Sequence, residues 1–375
     1  MADQSQYYVD PSGGDDTTGT GTVGAPWKTV QHALDTITRD TADGDAINIR
    51  DTADDVLTAA LSLTTYGAPS AGSPLTFRGY STSAKDGGIG GISGGGSYQI
   101  LSTLQYVEFI DMHLHNTGSN AIVSITYFGV FINCEFDNTT DNGFYSAGYI
   151  HSFHNCHFHN IGDHGIQCNG AWVKNCYFKN DGSNDFSAAI QITNFYEAVM
   201  EGNIISVDGT SDGIYLGTTN YLKQIRNNSI YSNGGTGQGI IGATSTTFSN
   251  QIANNLIEGF SGTGGIGMDL ANAAGQEAMI VNNSVYNCAT TANLNQEGII
   301  ENDMAESLGS SPFAKSGSDT FANRYTYFSP LDVGNVFNGS YKNPSLHRGA
   351  VQIQDTGGGG ADIATNSGRI GIMEA

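Results

Sequence analysis

Residues Phe131–Asn180 read FINCEFDNTTDNGFYSAGYIHSFHNCHFHNIGDHGIQCNGAWVKNCYFKN. One five-residue template recurs in this stretch: Ile132-Asn133-Cys134-Glu135-Phe136, His154-Asn155-Cys156-His157-Phe158 and Lys174-Asn175-Cys176-Tyr177-Phe178. Upstream it continues as Ile110-Asp111-Met112-His113-Leu114. Downstream it returns at Glu201–Ile205, Arg226–Ile230, Ala253–Ile257 and Val281–Val285. A period of roughly 20–28 residues is the mark of a solenoid, in which each segment buries its apolar side only by stacking on the next.

Each repeat carries two more short apolar runs. One follows about ten residues later, as in Asn142-Gly143-Phe144-Tyr145, His164-Gly165-Ile166-Gln167, Asp212-Gly213-Ile214-Tyr215 and Gln238-Gly239-Ile240-Ile241. The other precedes the asparagine, as in Tyr149–Phe153 and Ala198–Met200. Three strands per turn imply an all-β, right-handed parallel β-helix. Asn133, Asn155, Asn175, Asn227, Asn254 and Asn282 occupy the turn of successive repeats. Asparagine tolerates the left-handed backbone a sharp corner needs, and stacked amides can bond along the axis as an asparagine ladder. A second column, Asn116, Asn138, Asn160 and Asn180, marks the far end of the same strand. The template turns Cys134, Cys156 and Cys176 inward above Met112, as packed thiols.

Residues 1–43 read as an extension ending in a capping helix. Pro26-Trp27-Lys28-Thr29 leads into Val30, Ala33, Leu34 and Ile37, apolar at helical spacing, with Thr29 as N-cap. The β-helix is expected over 44–290. Residues 291–375 are expected to form an irregular C-terminal cap and tail, with a Gly357–Gly360 run.

Composition narrows the function classes. Glycine is 51 of 375 residues and charged residues are 13%, which suits many short strands joined by tight turns. The formal charge of −22 repels phosphate backbones and anionic bilayers, so neither nucleic acid nor membrane is an expected partner. The start has no basic n-region and no apolar core segment and is not read as a secretory signal, and no apolar run approaches a membrane span, so the chain is expected to stay where it is made, to leave by lysis, or to have lost a leader. Five cysteines without CxxC spacing argue against a zinc knuckle or disulfide framework, and no cofactor is expected.

The repeat resembles the pectate-lyase-like superfamily of right-handed parallel β-helices, over roughly residues 44–290. The opening Tyr7-Tyr8-Val9-Asp10-Pro11, Gly13–Asp16 and Pro26–Thr29, and the closing Arg348-Gly349-Ala350-Val351-Gln352, are similar to the ends of phage and environmental virion proteins of this group. That resemblance implies a non-enzymatic virion component: a capsid decoration protein, fibre or tail element. It would be a homotrimer, located in the virion beside other virion proteins. The alternatives it brings are a polysaccharide hydrolase or depolymerase, less readily a lyase, and an adhesin for a surface glycan. One fold hosts all of these.

Three candidate surfaces follow from the repeat. The outward column Tyr145, Gln167, Gln191, Tyr215 and Ile241 holds neither carboxylate nor cation, although Tyr and Gln suit flat hydroxylated ligands. The resemblance implies that a lyase would need a basic residue and calcium-holding acids there. Asp141, Asp163, His164 and Asp212 lie just before that strand and could serve as glycosidase carboxylates, or equally as turn residues ahead of glycine. His113, His115, Glu135, Asp137, His157 and His159 share one face, flanked by Tyr177 and Lys179. This face suits a divalent metal, a pH-sensitive interface, or a solvated ladder of paired charges.

Overall fold

The computed structural model describes residues 4–301, except 181–184, 194–195, 218–222, 243–248, 271–276, 282 and 295–299. The region 302–375, including the closing motif and the glycine run, lies outside the described residues, as does Asn282.

Every strand pair within the coil is parallel. Among the described residues the strands form a broad assembly of seventeen and a narrow sheet of ten, the latter running from Asp54–Val56 to Ser284–Tyr286. Parallel strands returning to the same sheet take the right-handed sense, and the result is a right-handed parallel β-helix. Four long strands, Leu101–Ile110, Ile122–Ile132, Phe144–His154 and His164–Lys174, each run through both faces of the broad assembly. A register shift between Ser146 and Ile150 bends the third of them around the corner. From Ala188 onward the two faces separate into distinct strands, Ala188–Ile192 and Ala198–Glu201 first.

Pairing extends beyond 44–290 at both ends. Ser5–Val9 pairs with Asp45–Ile49, and Thr290–Leu294 with Ile266–Leu270. The helix spans Val30–Thr36, and the Thr29 hydroxyl accepts from the His32 N–H at 3.2 Å. Its buried Val30, Ala33 and Leu34 join the same core cluster as Ile47 and Ile49.

Corners and core explain why the repeat reads as it does. Asp111, Asn133, Asn155, Asn175, Asn227 and Asn254 all have φ between 53° and 57°, and Gly202 takes the same corner at 70°. Asn116, Asn138 and Asn160 do so at the other end of the strand. Asn180 departs from that column: it is buried, and its Oδ1 accepts from the Phe186 N–H at 3.0 Å. Amides bond along the axis, Asn155 Nδ2 to Asn133 Oδ1 at 3.3 Å and Asn160 Nδ2 to Asn138 Oδ1 at 3.3 Å.

Inside, identical positions stack. Phe77, Phe109, Phe131 and Phe153 form one file with ring centroids 4.9, 5.3 and 4.8 Å apart. Phe136, Phe158 and Phe178 form a second, at 4.5 and 4.7 Å. The position after the corner is taken in turn by Met112, Cys134, Cys156, Cys176, Asn203, Asn228, Asn255 and Asn283, all buried. Its thiol half gives way to a fully buried amide half. Asn203 Nδ2 donates to Asn228 Oδ1, Asn228 Nδ2 to Asn255 Oδ1 and Asn255 Nδ2 to Asn283 Oδ1, at 2.8–2.9 Å. Burial pushes the Cys134 and Cys176 thiols upward, as expected of packing groups.

Candidate functional site

The broad sheet presents Tyr145, Gln167, Gln191, Tyr215 and Ile241 in register on its outer side, all half-buried. Gln167 donates to Gln191, so these amides satisfy each other along the axis. The column does not end there. Asp269 pairs with Ile241, adding a carboxylate one rung beyond the residues singled out from the sequence.

At the edge of this column, His164 is buried between rungs. Its Nδ1 lies 3.0 Å from Asp163 Oδ2 and 2.9 Å from Asn142 Oδ1. Both neighbours are acceptors, so Nδ1 carries the hydrogen. Burial lowers the His164 pKa, against the pull of Asp163. His164, Ala188 and Asp212 occupy one column, placing Asp212 two rungs from His164, about 10 Å along the axis. Asp141 lies one rung before Asp163. The structure thus brings His164 and Asp163 together and leaves Asp212 apart.

Asp212 accepts the Gln238 N–H at 2.8 Å, and burial pushes its pKa up to about 6. A carboxyl whose folded pKa exceeds its unfolded value is favoured while protonated. Stability therefore falls as pH rises from 3.8 to about 6, and the full cost persists above that. Asp212→Asn keeps an acceptor for Gln238. It should stabilise the chain by about 1–2 kcal/mol at pH 8, after allowance for partial exposure. At pH 3.5 the gain should vanish. Urea unfolding at both pH values checks this.

The narrow sheet carries the histidine face. His113, Glu135, His157 and Tyr177 form one column, and His115, Asp137, His159 and Lys179 the column beside it. Rings two residues apart stack, His113 on His115 at 4.0 Å and His157 on His159 at 4.4 Å. Glu135 Oε1 lies 2.9 Å from His159 Nε2 and 3.6 Å from His157 Nδ1. Burial alone raises the Glu135 pKa, but hydrogen bonds from His157 and His159 outweigh it and hold this carboxyl well below the usual range. His115 reaches Asp54 at 3.0 Å, and burial, joined by the charge of His113, lowers its pKa.

Asp54 was not visible as a member of this face. Register places Gly91 between Asp54 and His113, and a side-chain carbon on Gly91 would run into Asp54 Oδ1. The missing side chain lets the carboxylate reach across an intervening rung. A separate aromatic file was also missed. Tyr106, Tyr127 and Tyr149 stack along one edge, with centroids 5.9 and 4.7 Å apart, and Tyr196 lies tilted against Tyr149 at 5.0 Å. Of this file Tyr149 is 38% exposed, Phe128, whose ring lies 5.8 Å from that of Tyr106, is 48% exposed, and Trp172, on the strand paired with that of Tyr149, is 42% exposed. The signal was the spacing of tyrosines at 106, 127 and 149, hidden because two of them sit beside bends rather than in the template. Elsewhere on the surface, Glu201 bridges Lys174 at 3.8 Å and Arg226 at 3.0 Å, a structural charge ladder.

No protein-family profile matches the sequence, and no curated protein does. Among solved structures the chain is similar to pectate lyase Pel9A, at 16% identity and a TM-score of 0.48, covering 76% of this chain and 70% of that one. It is similar to a rhamnogalacturonan lyase at 15% identity and 0.48, covering 76% and 74%. It is also similar to the GH136 lacto-N-biosidase from Eubacterium ramulus at 12% identity and 0.37, covering 78% and 67%. The fold, from the strand pairing of the chain itself, is a right-handed parallel β-helix. Likeness at these identities concerns the path of the backbone and leaves the chemistry of this chain to its own side chains. No helix among the described residues is long and apolar enough to cross a membrane.

Proposed function

We propose that the chain is a non-catalytic structural β-helix of a phage-type virus particle, a fibre, tail element or decoration protein, assembled as a trimer. The sequence side of this reading is the resemblance of the opening and closing motifs to virion proteins. The structural observation that carries it is the aromatic edge. Phe128, Tyr149 and Trp172, carried by three successively paired strands, are all exposed. Aromatic side chains concentrate at protein interfaces, and a lengthwise row suits copies packed around a common axis.

Light scattering of the full chain should return three times the monomer mass, and Trp172→Ala with Phe128→Ser should release monomer. A monomeric wild-type chain contradicts the assembly. A second reading rests on Asp163 and Asp212: Asp163 precedes His164, which lies two rungs from Asp212 in one column, and a glycosidase works with a pair of carboxylates. Release of reducing sugar from neutral or acidic polysaccharides, lost in Asp212→Asn with the fold intact, would put the hydrolase in place of the scaffold. We expect no release.

A further inference from the structure

The histidine face contains two clusters built alike. His157 and His159 are two residues apart on one strand, so both side chains leave the same side of the sheet. In-register pairing sets Glu135 directly across from His157 on the preceding rung. One donor atom from each of the three falls within 4.8 Å of the others. His113 and His115 repeat the two-residue spacing, and Asp54, extended through the gap at Gly91, supplies the carboxylate within the same limit.

These distances match what one ion gathers. Donors at about 2.0–2.2 Å from a tetrahedral zinc stand roughly 3.4 Å from each other. The pairs around Glu135 Oε1, at 2.9 and 3.6 Å, bracket that value. His113 gives an independent sign. Its Nε2 is shielded from water and has no hydrogen-bond partner, its nearest carboxylate oxygen being that of Asp137 at 3.8 Å. A nitrogen removed from water without a partner is costly unless something else binds it.

We propose that Glu135–His157–His159 and Asp54–His113–His115 are two divalent transition-metal sites. Two imidazoles and one carboxylate favour zinc, nickel or copper over calcium or magnesium, which prefer all-oxygen sets. Each site leaves a coordination position for water. Each also joins side chains from different rungs, so an ion held there clips neighbouring coils together and stabilises only the folded chain. The inference stands apart from the virion reading, since a scaffold and an enzyme could both carry such clips.

The test is Zn²⁺ titration of the chelator-stripped full chain at neutral pH, by calorimetry and by metal analysis after desalting. The wild type should take up two ions, and its melting temperature should rise with Zn²⁺ but not with Mg²⁺. Glu135→Gln and Asp54→Asn should each take up one, the affected site weakening by roughly tenfold or more. The double variant should take up none. His32→Gln, on the N-terminal helix, should change nothing. Circular dichroism and melting in chelator establish that each variant is folded, and His159→Gln replaces Glu135→Gln if the latter is not. No uptake by the wild type, or uptake unchanged in both single variants, overturns the proposal. A loss in only one variant overturns the other site.

Discussion

Asn228→Ala should lower stability by about 3–5 kcal/mol, among the largest effects a single substitution can have here. The amide is fully buried and makes four bonds. Its Oδ1 accepts from the Asn203 N–H at 3.0 Å and the Asn203 Nδ2 at 2.9 Å. Its Nδ2 donates to Met200 O at 3.0 Å and Asn255 Oδ1 at 2.9 Å. Alanine strands two donors on Asn203 and the Met200 carbonyl in a dry core, each a cost of about 1–3 kcal/mol with partial relaxation. The neighbouring residue provides the contrast. Asn227 holds the corner at φ 57°, so Asn227→Ala brings only the left-handed backbone penalty, about 1–2 kcal/mol. Denaturant midpoints of the two variants should differ clearly and in that order. Equal losses would mean that the amide file contributes no more than the corner does.

Acid should weaken the fold through His151. This histidine is fully buried and packs edge-on to Phe144, ring centroids 4.9 Å apart. Its Nδ1 accepts the Gly129 N–H at 3.1 Å, which fixes the tautomer, and its Nε2 lies 3.0 Å from Ser146 Oγ. Burial holds its pKa down to about 3, against an ordinary value of 6.5. Between those values the unfolded chain binds the proton and the folded chain does not, so stability is complete above pH 6.5 and is lost as pH falls toward 3. The loss between pH 7 and pH 5 should be about 2 kcal/mol from this residue. His154 and His164, also lowered by burial, add to it in the same direction. His151→Gln should flatten the slope, and the His151 ring resonances should not titrate above about pH 4 in the folded chain. A ring that titrates near 6.5 would contradict the burial.

Much of the architecture was legible because a solenoid writes its geometry in columns. The left-handed corner restricts position after position to Asn, Asp or Gly, so Asn133, Asn155 and Asn227 announce themselves once per repeat. The phenylalanine files are readable for the same reason. What the period does not encode is which of two adjacent asparagines faces inward. Asn227 and Asn228 look alike in sequence, yet one turns the chain and the other is sealed in the core with amide partners on both sides. The position occupied by Cys134, Cys156 and Cys176 was legible as core, and the amides that continue it were not, because a buried amide is acceptable only when its neighbours above and below are amides too. Sites assembled across unequal loops were hidden as well. Asp54 and His115 meet although the chain between them includes irregular turns, and only register with Gly91 reveals the approach. The histidine face itself was visible because it lies wholly within the regular repeat. The bend at Ser146–Ile150 placed the tyrosine file outside any template.

The claim beneath all of these expectations is that equivalent residues of successive repeats lie directly one above another. Disulfide capture tests it most directly. Gln167 and Gln191 are half-buried partners on adjacent rungs, about 4.8 Å apart along the axis, inside the range a disulfide spans. Tyr215 lies one rung further, beyond that range from Gln167. Gln167→Cys with Gln191→Cys should cross-link on mild oxidation of the folded chain, while Gln167→Cys with Tyr215→Cys should not. Cross-linking of the second pair, or of neither, would contradict the stacked coil.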